Sequence, residues 1–214
     1  MATWDLDQVR RVTNGILAGM DAIWPAAGLT DGSVLLRRWQ PDDSDQFVAL
    51  FDHEVARWSP QVSDQSDAAL RGRLEQAASM PPEHLSQGYA IVEAERPDHL
   101  LGAIDWRTSA PMPPFSLVDI GYLVGAHARG RGVATAALRL LGDWLLSPRG
   151  GDLRRIQLDH SVANAGSCRV AEKAGLTIEG RRPQFLPLRD TPGGPLVFHD
   201  TCLHGRVRPA RTVG

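Results

Sequence analysis

Apolar side chains recur at intervals of mostly three and four from Trp4 to Trp24, through Leu6, Val9, Val12, Ile16, Leu17, Met20 and Ile23. That is the period of an amphipathic helix, and Pro25 and Gly28 would end it. The pattern then changes to a strand over residues 34–39, after which Pro41, Asp42 and Asp43 suit a helix start ahead of Phe47, Leu50 and Phe51. A further helix is expected over 67–79, closed by Met80, Pro81 and Pro82. Strands at 89–94, 101–107 and 117–124, separated by loops holding Pro97 and the prolines of 111–114, predict an antiparallel meander.

From Gly132 the period becomes helical again. Val133, Ala137, Leu140, Leu141, Trp144 and Leu145 share one face until the Ser-Pro-Arg-Gly-Gly run of 147–151 stops the helix. Ile156, Leu158 and His160 alternate with Gln157 and Asp159 as a strand, and a helix over 164–174 ends at Gly175, a residue suited to a left-handed cap. Final strands are expected at 177–180 and 196–204, with Arg206, Arg208 and Arg211 on a solvated, frayed end. The order of elements predicts an α+β protein with one open sheet of mixed direction. It divides into an N-terminal helical extension (1–30), one main domain (31–205) and a flexible tail (206–214).

Composition narrows the partners. With 43% apolar residues in 214, the chain can bury one ordinary core. A net charge of −2 leaves no broad basic face, so nucleic acid is not an expected partner. No run approaches the roughly 20 apolar residues that cross a bilayer, and the first residues lack a secretory pattern, so a cytoplasmic protein is expected. Cys168 and Cys202 lack CxxC spacing, so neither a disulfide framework nor a cysteine metal site is expected.

The sharpest chemical signal is Asp119-Ile120-Gly121-Tyr122-Leu123-Val124, a short loop, then Arg129-Gly130-Arg131-Gly132-Val133-Ala134 opening a helix. A helix N-terminus presents unpaired N–H groups and roughly half a positive charge, which suits phosphate. Gly130 and Gly132 let the main chain approach closely, and Ala134 stays small on the same turn. A dinucleotide fingerprint would need glycine where Thr135 stands, and no GxxxxGK[ST] P-loop is present. A single RGRG between an apolar strand and an apolar helix is poorly placed for RNA.

The Arg129 to Ala134 run resembles the [QR]xxGx[GA] motif of the GNAT acyltransferase superfamily. Asn164-Ala165-Gly166-Ser167-Cys168-Arg169-Val170-Ala171-Glu172-Lys173-Ala174-Gly175-Leu176 is similar to the NxxSxRVxEKxGF segment of its RimJ/RimL-like branch, and residues 36–43 resemble that branch's first strand and helix start. The similarity spans about residues 33–203; residues 1–30 lie outside it. It implies the GNAT fold: a mixed, mainly antiparallel sheet of about seven strands with helices on both faces, plus the extra N-terminal helix. It also implies acetyl transfer from acetyl-CoA to a primary amine, and because the branch includes enzymes acting on a peptide or protein N-terminal α-amine, that is the preferred acceptor. Small amines, amino acids or antibiotics are the alternative acceptors, and a non-catalytic acyl-CoA binding domain is the other class. The N-terminal helix would suit a homodimer.

The resemblance carries site roles with it. The pyrophosphate would lie on the main chain of Arg129, Gly130, Arg131, Gly132, Val133 and Ala134. The thioester arm would lie between diverging strands at Leu123 and Val124, with the Leu123 N–H polarising the thioester carbonyl. Asn164 would bond the pantetheine arm, although asparagine there also suits a helix N-cap. Asp119 matches the family's proton-accepting carboxylate, with Asp105 as second choice. Many relatives carry a leaving-group tyrosine where this chain has Ala171, so Ser167 is the expected partner of the coenzyme sulfur. The 111–114 and 183–195 segments match loops that wall the acceptor site. A Cys168–His160 nucleophile pair is disfavoured, because Cys168 should point away from Ser167 around the helix.

Overall fold

Short-range signals translate into elements with few exceptions in the computed structural model, which describes residues 24–59, 66–79, 86–108, 117–150, 153–191 and 193–208. The helix expected over 4–24, apart from Trp24, and the prolines of 81–82 and 111–114 lie outside those residues. Strands β1 (Leu29–Thr30) and β2 (Val34–Arg37) lead through a 3-10 turn at Pro41–Asp43 into α1 (Ser44–Ala49), α2 (His53–Trp58) and α3 (Asp67–Ala78). Next come β3 (Ser86–Glu93), β4 (Leu100–Thr108), β5 (Leu117–Val124), α4 (Val133–Leu146), β6 (Arg155–Ser161), α5 (Ala165–Lys173), β7 (Thr177–Leu188) and β8 (Val197–Val207). Helix starts follow the capping rule: Asp52 and Ser66 accept from Val55 N and Ala69 N, and so satisfy first-turn donors.

The eight strands form one sheet in the order β1-β2-β3-β4-β5-β6-β8-β7, antiparallel throughout except for β5 beside β6. Strand alternation divides the apolar residues between two layers. Tyr89, Ile91, Ile104, Trp106, Val118, Ile120, Ile156 and Leu158 pack on the side of α4, where they meet Ala137, Leu141 and Leu145. Ala90, Val92 and Leu100 face the other way, against Phe47 and Leu50 of the α1 segment and Leu70 and Leu74 of α3. Each fully buried leucine or isoleucine contributes about 1.5–3 kcal/mol of transfer free energy, which anchors α4 and therefore the loop before it. Among the described residues no helix is long and apolar enough to cross a membrane.

Three expectations change. An eighth strand appears because Leu29–Thr30, assigned to the helical extension, pairs with Leu35 and Leu36. The 183–195 segment is not a loop throughout: β7 continues to Leu188, through Pro183 and Pro187. β7 is an edge strand, so a missing proline N–H costs little there, and a register shift between Arg182 and Leu186, with Gln184 at φ 47°, absorbs the mismatch. β8 also runs through Arg206 and Val207, with Arg206 paired to Asp143 of α4 and Arg208 N donating to Arg154 O, so the chain there is not frayed.

Candidate functional site

The single parallel pairing shapes the site. β5 and β6 are in register only at Leu117–Arg155, Val118–Ile156 and Asp119–Gln157, after which the strands part. The gap opens into a cleft of about 480 Å³, bordered by Tyr122, Leu123 and Val124 on β5, the start of α4, and Asn164 and Ser167 at the start of α5. Val55 and Trp58 of α2 close its outer side.

At the head of α4, Gly132 is the N-cap with φ 83° and no side-chain cap, and Gly130 has φ 75°. Only glycine adopts that left-handed region without strain, and a Cβ at either position would project into open space. The first intrahelical bond is Ala136 N to Gly132 O, so the preceding N–H groups are left for a ligand. Both arginines are held by carboxylates. Arg129 donates to Val124 O (3.1 Å) and to Asp52 (2.7 Å), tying the loop to α2. Arg131 reaches Glu93 (3.0 Å) and does not border the cleft. Arg131 and Arg96 together hold the Glu93 carboxyl at about 2. The exposed surface at this turn is thus main chain, with the guanidinium groups serving as braces.

Across the cleft Asn164 Oδ1 accepts from Ser167 N (3.0 Å), so the asparagine caps α5 and borders the cleft. Replacing it with alanine should lower stability by about 1 kcal/mol in denaturant unfolding, the usual value of such a cap. Ser167 is buried, and its Oγ accepts from Tyr122 OH at 3.0 Å. Burial pushes the Tyr122 hydroxyl up, which keeps it a proton donor near neutrality. Sequence reasoning missed Tyr122. Its place next to Leu123 was visible, but its reach to a serine 45 residues away was not. Ala171, where relatives carry tyrosine, is fully buried in the core.

Asp119 and Asp105 lie on the sheet face that carries Leu123. Asp119 accepts from Gln157 Nε2 (2.6 Å), opposite it on β6, and does not border the cleft. It lies four residues before Leu123, about 13 Å along an extended strand. Asp105 pairs with Gly121, which makes Leu123 its diagonal neighbour at about 7–8 Å. Gly88 and Gly121 flank Asp105 on the adjoining strands, and a Cβ at Gly121 would sit 2.9 Å from Asp105 Oδ1, so the glycine clears space for the carboxylate. Asp105 pairs with Arg107 (3.1 Å), keeps 47% of its side chain open to water and, like Asp119, does not border the cleft. Burial pushes its carboxyl up, Arg107 opposes this, and Asp119 adds to the rise. Asp159, further along the same face, is held by Arg182 at 2.7 Å. Cys168 does not border the cleft, and β7 does not reach it.

Comparison with known proteins agrees with this geometry. Residues 33–177 match the family model described as the acetyltransferase (GNAT) domain. No curated protein sequence matches significantly. Solved structures share the fold at low identity. Ribosomal-protein-S5-alanine acetyltransferase from Vibrio fischeri has 19% identity and a TM-score of 0.68, over 83% of this chain and 94% of that one. RimJ of Mycobacterium smegmatis, in complex with CoA-disulfide, has 20% identity and a TM-score of 0.69, over 84% of each chain. The microcin self-immunity acetyltransferase MccE, in complex with acetyl-CoA and AMP, has 17% identity and a TM-score of 0.71, over 87% and 99%. With the family model covering residues 33–177, most of the chain, the protein belongs to the GNAT acetyltransferase family.

Proposed function

We propose that this protein transfers an acetyl group from acetyl-CoA to a primary amine, preferentially the N-terminal α-amine of a peptide or protein, by direct attack of the amine on the thioester. The cleft fits the donor: two left-handed glycines leave a bare main-chain cradle, and β5 and β6 diverge to admit an extended arm. When bound, acetyl-CoA supplies an activated acetyl carbon. In this proposal the main chain of residues 129–134 holds the pyrophosphate, Asn164 takes the arm, and the Leu123 N–H donates to the carbonyl oxygen. One such donor is worth about 3 kcal/mol in the transition state. Cytoplasmic acetyl-CoA would be the donor pool.

The observation that carries the acceptor side is Asp105 on the Leu123 face, in the space that Gly121 leaves open. An α-amine, with pKa near 8, arrives mostly as ammonium at pH 7 and must lose a proton before it attacks. Asp105, nearer to Leu123 than Asp119 and with its carboxyl raised, is the better placed acceptor of that proton; Asp119 supports it with negative charge. Tyr122 and Ser167 form the acid side. Ser167 Oγ hands a proton towards the departing sulfur and is resupplied by the Tyr122 hydroxyl. A thiolate is a weak base, so Tyr122→Phe should slow kcat by only about tenfold, below the usual range for general acids, with the difference shrinking as pH rises through the raised Tyr122 pKa and the parent loses its acid.

The direct test incubates the protein and acetyl-CoA with peptides bearing free α-amines, the same peptides N-blocked, amino acids and aminoglycosides, following thiol release and product mass. Acetylation of free but not blocked peptides supports the proposal. Turnover confined to small amines would replace the acceptor class. Binding of coenzyme A without turnover on any amine would favour a non-catalytic binding domain.

A further inference from the structure

Behind α5, on the sheet face opposite Asp105, three potential metal ligands converge from three elements. His160 on β6, Cys168 on α5 and His204 on β8 each place one ligand atom within 4.8 Å of the other two. Strand pairing explains the convergence: His204 lies opposite Leu158 and Cys202 opposite His160, so both histidines share the face covered by α5. The rings stack with centroids 5.1 Å apart. His160 is 6% exposed and His204 is 0%.

Their hydrogen bonding is incomplete in an informative way. His160 Nδ1 lies 2.8 Å from Ser161 O and can only donate to that carbonyl, which leaves an Nε2 lone pair aimed inward without a partner. Both ring nitrogens of His204 are likewise buried without a hydrogen-bond partner. Leaving buried polar atoms unmade costs free energy that an apolar residue would avoid. A hydrogen bond from Nδ1–H to a carbonyl is also the device that orients imidazoles whose other nitrogen binds a metal.

We infer that His160, Cys168 and His204 form a site for one divalent transition-metal ion of the Zn(II) type, clamping α5 to β6 and β8. Two imidazoles and one thiolate suit borderline-soft Zn(II) better than Mg(II) or Ca(II). Tetrahedral zinc, with bonds of about 2.0–2.3 Å, needs ligand atoms about 3.3–3.8 Å apart, so a small inward movement completes the geometry. Glu172 Oε1, 3.8 Å from Cys168 Sγ and one helical turn away, or a water molecule, supplies the fourth ligand. On binding, the Cys168 thiol gives its proton to solvent as the sulfur–metal bond forms. Local sequence showed no metal spacing because the three ligands come from separate elements.

The inference is independent of the acetyl-transfer proposal, and its test needs no turnover. The chelator-stripped full chain would be titrated with Zn(II) and, separately, with Co(II). Expected are saturation at one ion per chain, a raised thermal midpoint, and intense tetrahedral cobalt bands with a thiolate-to-metal absorption. Cys168→Ser should abolish that absorption and weaken binding by about tenfold or more. In the unaltered protein, Zn(II) should also protect Cys168 from alkylation, mapped by peptide mass, which keeps the test valid if the variant folds poorly. No saturable binding at micromolar metal, a weak octahedral cobalt spectrum, or unchanged alkylation of Cys168 would overturn it.

Discussion

Asp105→Asn should lower kcat by about 10² to 10⁴ while leaving the KM for acetyl-CoA nearly unchanged, the signature of a lost proton acceptor outside the donor cradle. The carboxylate must be ionised to act. Its pKa is raised by burial first, with Arg107 opposing and Asp119 reinforcing, so the acid limb of kcat/KM should lie above the ordinary carboxylate range and disappear in the variant. Stability supplies a second readout of opposite sign. A carboxyl raised on folding binds more protons in the native state, so its contribution to stability is lost as pH rises from the unfolded towards the folded value. The amide that replaces it carries no charge at any pH. The variant should therefore be at least as stable as the parent near neutrality, with that advantage vanishing below the unfolded carboxylate range. A loss of activity under about tenfold, with Asp119→Asn the more damaging change, would return the role to Asp119 and a chain of water.

Gly132→Ala should raise the Kd for coenzyme A by roughly 10- to 100-fold, measured by calorimetry, a change of about 1.4–2.8 kcal/mol. Two costs combine. Gly132 has φ 83°, a region that costs an L-residue about 1–2 kcal/mol, and the new methyl would project into the bare space above the first N–H groups of α4. Gly193 offers a control. It has φ 70° in the turn between β7 and β8, away from the cleft, and a Cβ there also meets nothing. Gly193→Ala should therefore share the backbone strain and keep coenzyme A affinity. Equal affinity losses in the two variants would mean that strain alone, and not the cradle, explains the result.

Much of this molecule was legible in local pattern. The 3.6-residue period from Val133 to Leu145, the cap at Asn164, and the punctuation at Gly175 each depend on residues within one or two turns, and each appears as an element or its end. The tight turn ahead of α4 was legible for the same reason, since Gly130 and Gly132 act through their own backbone angles. Sequence reading went astray where an element's neighbour mattered. Pro183 and Pro187 argued for a loop, yet an edge strand tolerates prolines that a central strand would not.

The chemistry around the cradle depended on register. Asp105 lies diagonally beside Leu123 because β4 pairs Asp105 with Gly121, and Asp119 stands further along the strand for the same reason. Tyr122 meets Ser167 only because β5 and β6 part, and His160, Cys168 and His204 meet only because β6, β8 and α5 pack together. The sequence by itself therefore determined the family, the glycine turn ahead of α4 and most helices, since those signals are carried by side chains and backbone torsions within a single turn. Tertiary structure alone decided which carboxylate, hydroxyl and imidazoles come together, because strand pairing joins residues far apart in the chain, and a shift of one residue would turn each side chain to the opposite face.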